Sequence, residues 1–276
     1  MRSDGGDPGV EVEVQVLGPA EVRGAAGPFR RAWSLELVVY LAMHPRGAAN
    51  EAWATALWPD RLMAAPTLHS TASAARRALG RSPAGADHLP RRHGRLVLAP
   101  TVGTDWGRFR RLAASPCPAT WGRAIALVRD RPFQGLRSPD WTVLEGVVAE
   151  VEDGVVALAG RLAEHHLAAG EGQRAAQVAR RALLASPYDE RLYRLLLRAA
   201  DRQGNPAGVE ATMAELVGLV AGVGLAGTGP GGGPAGRAGP WLTGEAARCV
   251  HPDTAALYRS LSRRPAGAGS PVAARL

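Results

Sequence analysis

Apolar residues alternate with acidic or polar ones over Val10 to Leu17 (VEVEVQVL), the two-residue period of a half-buried strand. Gly18-Pro19 turns the chain, Ala20 to Arg23 returns as a second short strand, and after the turn at Gly24–Gly27 a third strand is expected over Pro28–Ala32. At Trp33 the spacing lengthens to that of a helix. Trp33 to Met43 (WSLELVVYLAM) is expected to be capped by Ser34 and stopped by His44-Pro45. A second helix, Glu51–Trp58, is expected behind an Asn50 cap and ahead of Pro59-Asp60. A third runs from Thr67 to Leu79, with Pro66 in its first turn and Gly80 at its end. On this third helix Leu68, Ala72, Ala75 and Leu79 fall at i, i+4, i+7 and i+11, one narrow apolar stripe that must face a core. The opposite face then carries Thr67, His69, Ser70, Ser73, Arg76 and Arg77. His88 to Pro100 (HLPRRHGRLVLAP) is expected to form a β-hairpin with Arg91, Arg92, His93 and Arg95 around Gly94.

From Asp105 onward the pattern is helical throughout. Helices are expected over Asp105–Ala114, Thr120–Asp130, Trp141–Ala169, Gln173–Ala185, Asp189–Gln203, Pro206–Leu219 and Thr254–Ser262. An offset of 34 residues recurs in this half: Gly170 corresponds to Gly204, Ala175 to Val209 and Leu183 to Val217. That is the tetratricopeptide period, in which each helical hairpin buries its face against the next. The expected fold is mainly α. An α+β winged helix over residues 10–104 precedes an all-α, tetratricopeptide-like array of helical hairpins over 105–262, interrupted by a glycine-rich insertion at 221–249. Residues 1–9 and 263–276 are expected to be disordered tails.

Charge sharpens this picture. Between Arg61 and Arg111 there are ten arginines and two acids, Asp87 and Asp105, while the remaining 23 arginines are matched by 23 acids. The whole formal surplus of +8 therefore lies in the stretch that holds the third helix and the hairpin. A local basic patch is the footprint of phosphate-backbone binding, although a merely solvated basic face has the same composition. Small hydroxyls let a helix approach base edges closely, and arginine reaches guanine edges or phosphates. The candidate DNA-contacting residues are thus Thr67, His69, Ser70, Ser73, Arg76 and Arg77 on the helix, and Arg91, Arg92 and Arg95 on the wing.

Several chemistries find no support. The chain contains no lysine, so P-loop, Schiff-base and kinase lysines are excluded. Cys117 and Cys249 match no metal spacing and are expected to be reduced thiols of a cytoplasmic protein. Gly222, Gly224 and Gly227 match GxGxxG, but a helix precedes them and a tract with nine glycines between Ala221 and Pro240 surrounds them, against the strand–helix context that motif requires. Glu164, His165 and His166 share a helical turn without converging, since adjacent histidines point about 100° apart. No cofactor, metal or catalytic residue is expected. The longest apolar run, Leu216 to Gly227, has about 12 residues, too few to span a bilayer.

The segments VQVLGPAEVRG (Val14–Gly24), ALWPD (Ala56–Asp60), RRALG (Arg76–Gly80) and GTDWGRF (Gly103–Phe109) run in a familiar order. They are followed by FQGLRSPDW (Phe133–Trp141), LAEHHLAAGE (Leu162–Glu171), ASPYDERLYRLLLRAADRQGN (Ala185–Asn205) and HPDTAALYRSL (His251–Leu261). In this the chain resembles the SARP-type (antibiotic regulatory protein) transcriptional activators, which join a response-regulator-type winged helix to a bacterial transcriptional activator domain. The resemblance implies binding of double-stranded DNA through the third helix and wing, often by protomers side by side, and contact with RNA polymerase. A homodimer is compatible with it. The chain departs from the family pattern at Ala74, where a further arginine is typical, and at Gly94-Arg95, where Gly-Tyr is usual.

Two functions compete on the sequence. The first is a DNA-binding regulator, an activator whose helical half contacts partners. The second is an interaction module that keeps the architecture without specific DNA reading, related to the C-terminal part of longer membrane- or cell-wall-associated proteins. An enzyme is a distant third, because no convergent catalytic set can be assembled.

Overall fold

The computed structural model of the protein describes residues 9–224 and 249–263, so all but one residue of each expected tail and most of the 221–249 insertion lie outside the described residues. The chain divides into two units, Met1–Gly154 and Val155–Leu276.

In the first unit the alternating segment forms β1 (Val12–Gln15) and pairs antiparallel with β2 (Glu21–Arg23). The expected third strand at 28–32 does not form. Arg30 N–H instead bonds the Pro28 carbonyl and Gly27 N–H bonds Ala78 O, leaving the segment as turns that lead directly into α1 (Ala32–Met43). The third strand of the sheet is β5 (Val102–Thr104), which lies parallel to β1 with Val12 opposite Val102. A three-residue strand paired with one some ninety positions earlier leaves almost no local signature.

The helices lie where periodicity puts them: α1, α2 (Asn50–Leu57) and α3 (Ala65–Leu79). The caps differ. Ser34 is inside α1 and donates to the Arg31 carbonyl at 2.6 Å, and Asn50 is the first residue of α2 rather than its cap. The stripe Leu68, Ala72, Ala75 and Leu79 is buried, and Thr71 and Ala78 widen it to the usual width of a core-facing helix. Trp53 is fully buried, and Trp58 stacks obliquely between Trp33 and Trp53. Trp53 and Trp58 are core, as their apolar setting implied, and Trp33 is half-buried against Trp58.

Helices α4 (Asp105–Ala114), α5 (Pro118–Ile125) and α6 (Asp140–Leu144) belong to this same first unit. Two buried carboxylates tie the segment down. Asp105, only 1% exposed, accepts from the amides of Val16 (2.8 Å) and Leu17 (3.1 Å). Glu36 on α1 accepts from the amides of Arg137 and Ser138 at 2.8 and 3.2 Å. Desolvation dominates both groups and raises their pKa, that of Asp105 to about 6.

The single helix expected over 141–169 is broken after α6 by Gly146, whose φ of 71° is left-handed, and resumes as α7 (Val147–Ala168). In the second unit α8 (Gly172–Ala185), α9 (Glu190–Arg202) and α10 (Pro206–Gly224) pack pairwise in sequence order, and α11 (Pro252–Ser262) packs on α9 and α10. The 34-residue repeat is visible in the helix stops. Gly170 (φ 80°) and Gly204 (φ 62°) take the same left-handed conformation. The bonds Glu171 N–H to His166 O and Asn205 N–H to Ala200 O close the two ends identically. Gly222 and Gly224 sit at the end of α10, so a helix precedes the GxGxxG match, and Gly227 lies outside the described residues. No described helix is long and apolar enough to cross a membrane.

Candidate nucleic-acid interface

The hairpin is built on a two-residue turn. Between β3 (Arg91–Arg92) and β4 (Arg95–Leu96), His93 and Gly94 have φ of 49° and 78°. Positive φ at both central residues is the type I′ geometry that matches the twist of paired strands. The hairpin is not free-standing. Ala48 and Leu96 exchange two backbone hydrogen bonds of 2.9 Å, so the α1–α2 connection acts as a third strand beside it. This close approach requires Gly47, with φ of 68°, because any Cβ there would collide with the Leu96 carbonyl. At the root, His88 is buried and shares a 2.9 Å hydrogen bond with the Thr101 hydroxyl.

Two arginines of the wing are held by neutral acceptors. Arg91 donates to Gly94 O (2.7 Å) and to Asn50 Oδ1 (3.0 Å), and Arg95 donates twice to Gly47 O. Arg92 at the turn is exposed and has no partner among the described residues. Fixing a guanidinium on a carbonyl orients it without cancelling its charge, so these groups remain positive toward solvent.

The predicted face of α3 separates into two roles. His69, Ser73 and Arg77 are exposed and fall at i, i+4 and i+8, one row along the helix, and Arg77 has no partner among the described residues. Thr67, Ser70 and Arg76 are half-buried and turned to internal bonds. Thr67 supplies its carbonyl to the hydroxyls of Ser70 and Thr71. Ser70 also accepts from Arg31 at 3.0 Å. Arg76 reaches the Leu89 carbonyl at 3.0 Å and braces α3 against the base of the hairpin. The structure therefore brings His69, Ser73 and Arg77 together on one exposed helix row and Arg91, Arg92 and Arg95 together on the wing, joined by Arg76.

The census of charge between positions 61 and 111 overstated the size of the patch at one end and missed part of it elsewhere. Arg108 pairs with Glu13 at 3.1 Å and Arg110 approaches Glu150 at 3.8 Å while lying over the Trp106 ring, so these α4 arginines are compensated. Arg81 pairs with Asp87. Arg61, Arg76, Arg77, Arg91, Arg92 and Arg95 have no carboxylate partner among the described residues. To them the fold adds Arg31, through its bond to Ser70, and Arg46, exposed beside Gly47 in the α1–α2 connection. No local sequence signal marks either one, because tertiary contact alone brings them to α3 and the wing.

Among the described residues no group of three or more His, Cys, Asp or Glu side chains could hold a metal ion. His166 bonds Glu171 at 2.6 Å and Glu164 pairs with Arg198, so the acidic–histidine turn is spent on local structure.

Comparison with known proteins agrees with this architecture. The family model described as the bacterial transcriptional activator domain matches residues 107–216. A solved structure of Mycobacterium tuberculosis EmbR in complex with a low affinity phosphopeptide has the same fold, with a TM-score of 0.55 and 21% identity over 91% of this chain and 69% of that one. No curated protein matches the sequence. The expected activator domain is thereby borne out over residues 107–216, and the expected fold over nearly the whole chain.

Proposed function

We propose that this chain, whose residues 107–216 are a bacterial transcriptional activator domain, regulates transcription by binding double-stranded DNA through α3 and the wing. Residues 10–104 form the DNA-binding module in this reading, and residues 105–262 form the activator module that contacts RNA polymerase, with homodimers as the form able to occupy paired sites. The observation that carries the reading is the choice of acceptors. Arg76, Arg91 and Arg95 rest on carbonyls and an amide, so their charge is kept while their directions are fixed, and Arg77 and Arg92 have no carboxylate partner among the described residues.

A helix about 10–12 Å across fits the major groove of about 12 Å. The row His69–Ser73–Arg77 would face base edges, with small Ser73 allowing close approach and Arg77 reaching a guanine edge or a phosphate. The wing would lie along the neighbouring backbone, with Arg92 and His93 at its tip. Arg76 has the separate task of holding helix and wing in fixed relation.

The test is a salt series on genomic fragments with the wild type and an Arg77→Ala, Arg92→Ala double variant. The wild type should protect a defined site, with affinity falling steeply as salt rises. Loss of two phosphate or base contacts should lower the salt slope by about two units and weaken binding by about a hundredfold at low salt. Weak, sequence-indifferent binding that the double variant leaves unchanged would replace this reading with the interaction module.

A further inference from the structure

The second unit contains a cleft of about 330 Å³ between α7, α9 and α11. Val156, Leu192, Leu195 and Leu257 give it apolar walls, Glu164 also lines it, and Gly160 lines it without a side chain, since a Cβ built there would meet nothing within 4 Å. Along one edge run Arg191, Arg194 and Arg198, at i, i+3 and i+7 of α9. The two outer arginines are engaged in surface pairs, Arg191 with Asp189 and Arg198 with Glu164. The central one has no carboxylate partner among the described residues. Arg194 donates to the hydroxyl of buried Thr254 at 3.0 Å, a bond that fixes its direction and leaves its charge intact.

We propose that this cleft binds an extended segment of a protein partner in which carboxylates alternate with apolar side chains. The guanidinium groups of Arg194 and Arg198, four helical residues apart, are separated by about 6 Å along the axis, whereas a single phosphate would need them to converge on one point. An extended chain covers that distance in about two residues, which puts every second side chain on the arginine side and the intervening ones on the other. Acidic side chains would meet the arginine edge and the intervening apolar ones would enter the cleft. The half-exposed Arg198–Glu164 pair exchanges readily for a ligand carboxylate, whereas Arg191 stays on Asp189, whose side chain is only 12% exposed, so Arg194 and Arg198 form the working edge. The inference concerns the helical unit alone and does not depend on the DNA-binding reading.

The experiment uses the whole chain and a fluorescein-labelled eight-residue peptide alternating Asp with Leu, beside its Ser-for-Asp counterpart, followed by anisotropy. The acidic peptide should bind in preference to the serine one. Arg194→Gln should weaken it by about tenfold, the scale of a hydrogen bond to a charged group. Gly160→Leu should abolish binding by filling the cleft while thermal unfolding is unchanged, since leucine favours a helix more than glycine does. A short DNA duplex should not displace the peptide. Equal binding of both peptides, absence of binding, variants that bind like the wild type, or displacement by the duplex, which would put the peptide on the α3 face, would each overturn the proposal. If Gly160→Leu fails to fold, Arg194→Gln decides.

Discussion

The α3–wing region and the helical array both consist of arginine on helices and turns, yet they handle its charge in opposite ways. Around α3 and the wing, arginines bond carbonyls, an amide and a hydroxyl, and the nearby buried acids bond backbone amides: Asp105 to Val16 and Leu17, Glu36 to Arg137 and Ser138. In the array, arginine and carboxylate find each other: Arg174 with Glu171, Arg180 with Glu215, Arg191 with Asp189, and Arg198 with Glu164. The first arrangement projects a field outward, and the second cancels most of it, Arg194 on the Thr254 hydroxyl being an exception. Residue type alone does not determine an electrostatic surface; the acceptor does.

The largest expected effect lies with the buried acids. Asp105→Ala would strand two buried amide donors and should lower stability at pH 5 by about 2–4 kcal/mol, read from the denaturant midpoint. Because burial raises the Asp105 pKa from 3.8 to about 6, its contribution is full below the ordinary aspartate value and declines as pH rises through about 6. The wild type should therefore lose stability over that interval, and Asp105→Asn should show a flatter profile.

A smaller effect follows from exchanging an acceptor without touching an arginine. Asn50→Asp converts the Arg91 partner to a carboxylate and places an acid in the first turn of α2, which favours the helix. DNA affinity should fall by about tenfold at low salt and the slope by about one unit, with stability unchanged or raised. Smallest is Glu164→Gln in the array. An exposed pair contributes under about 1 kcal/mol, so unfolding should barely move and DNA affinity not at all. A large loss of DNA binding in this variant would erase the distinction between the two regions.

Much of this was legible in the sequence. The α3 stripe is buried as its spacing required, α4 occupies the expected residues, and the glycines of the 34-residue repeat stop two equivalent helices. What escaped is non-local. β5 exists only through its pairing with β1, and Arg76 turns inward only because the hairpin brings Leu89 O within reach. The unbroken apolar pattern of residues 141–169 hid the stop at Gly146, which depends on a backbone conformation and not on side-chain polarity. Asp105 and Glu36 escaped for a related reason, since a carboxylate bound to main-chain amides has no partner type to search for.

The paired endings at Gly170 and Gly204 have a consequence for how the helical half can change over time. Each is closed by bonds confined to its own helix and the next two residues, so a duplicated or deleted stretch of 34 residues would leave every remaining closure intact. A change one residue longer or shorter would turn the following helix by about 100° and swing its buried side into water. Growth or loss in this half is therefore ratcheted to whole hairpins.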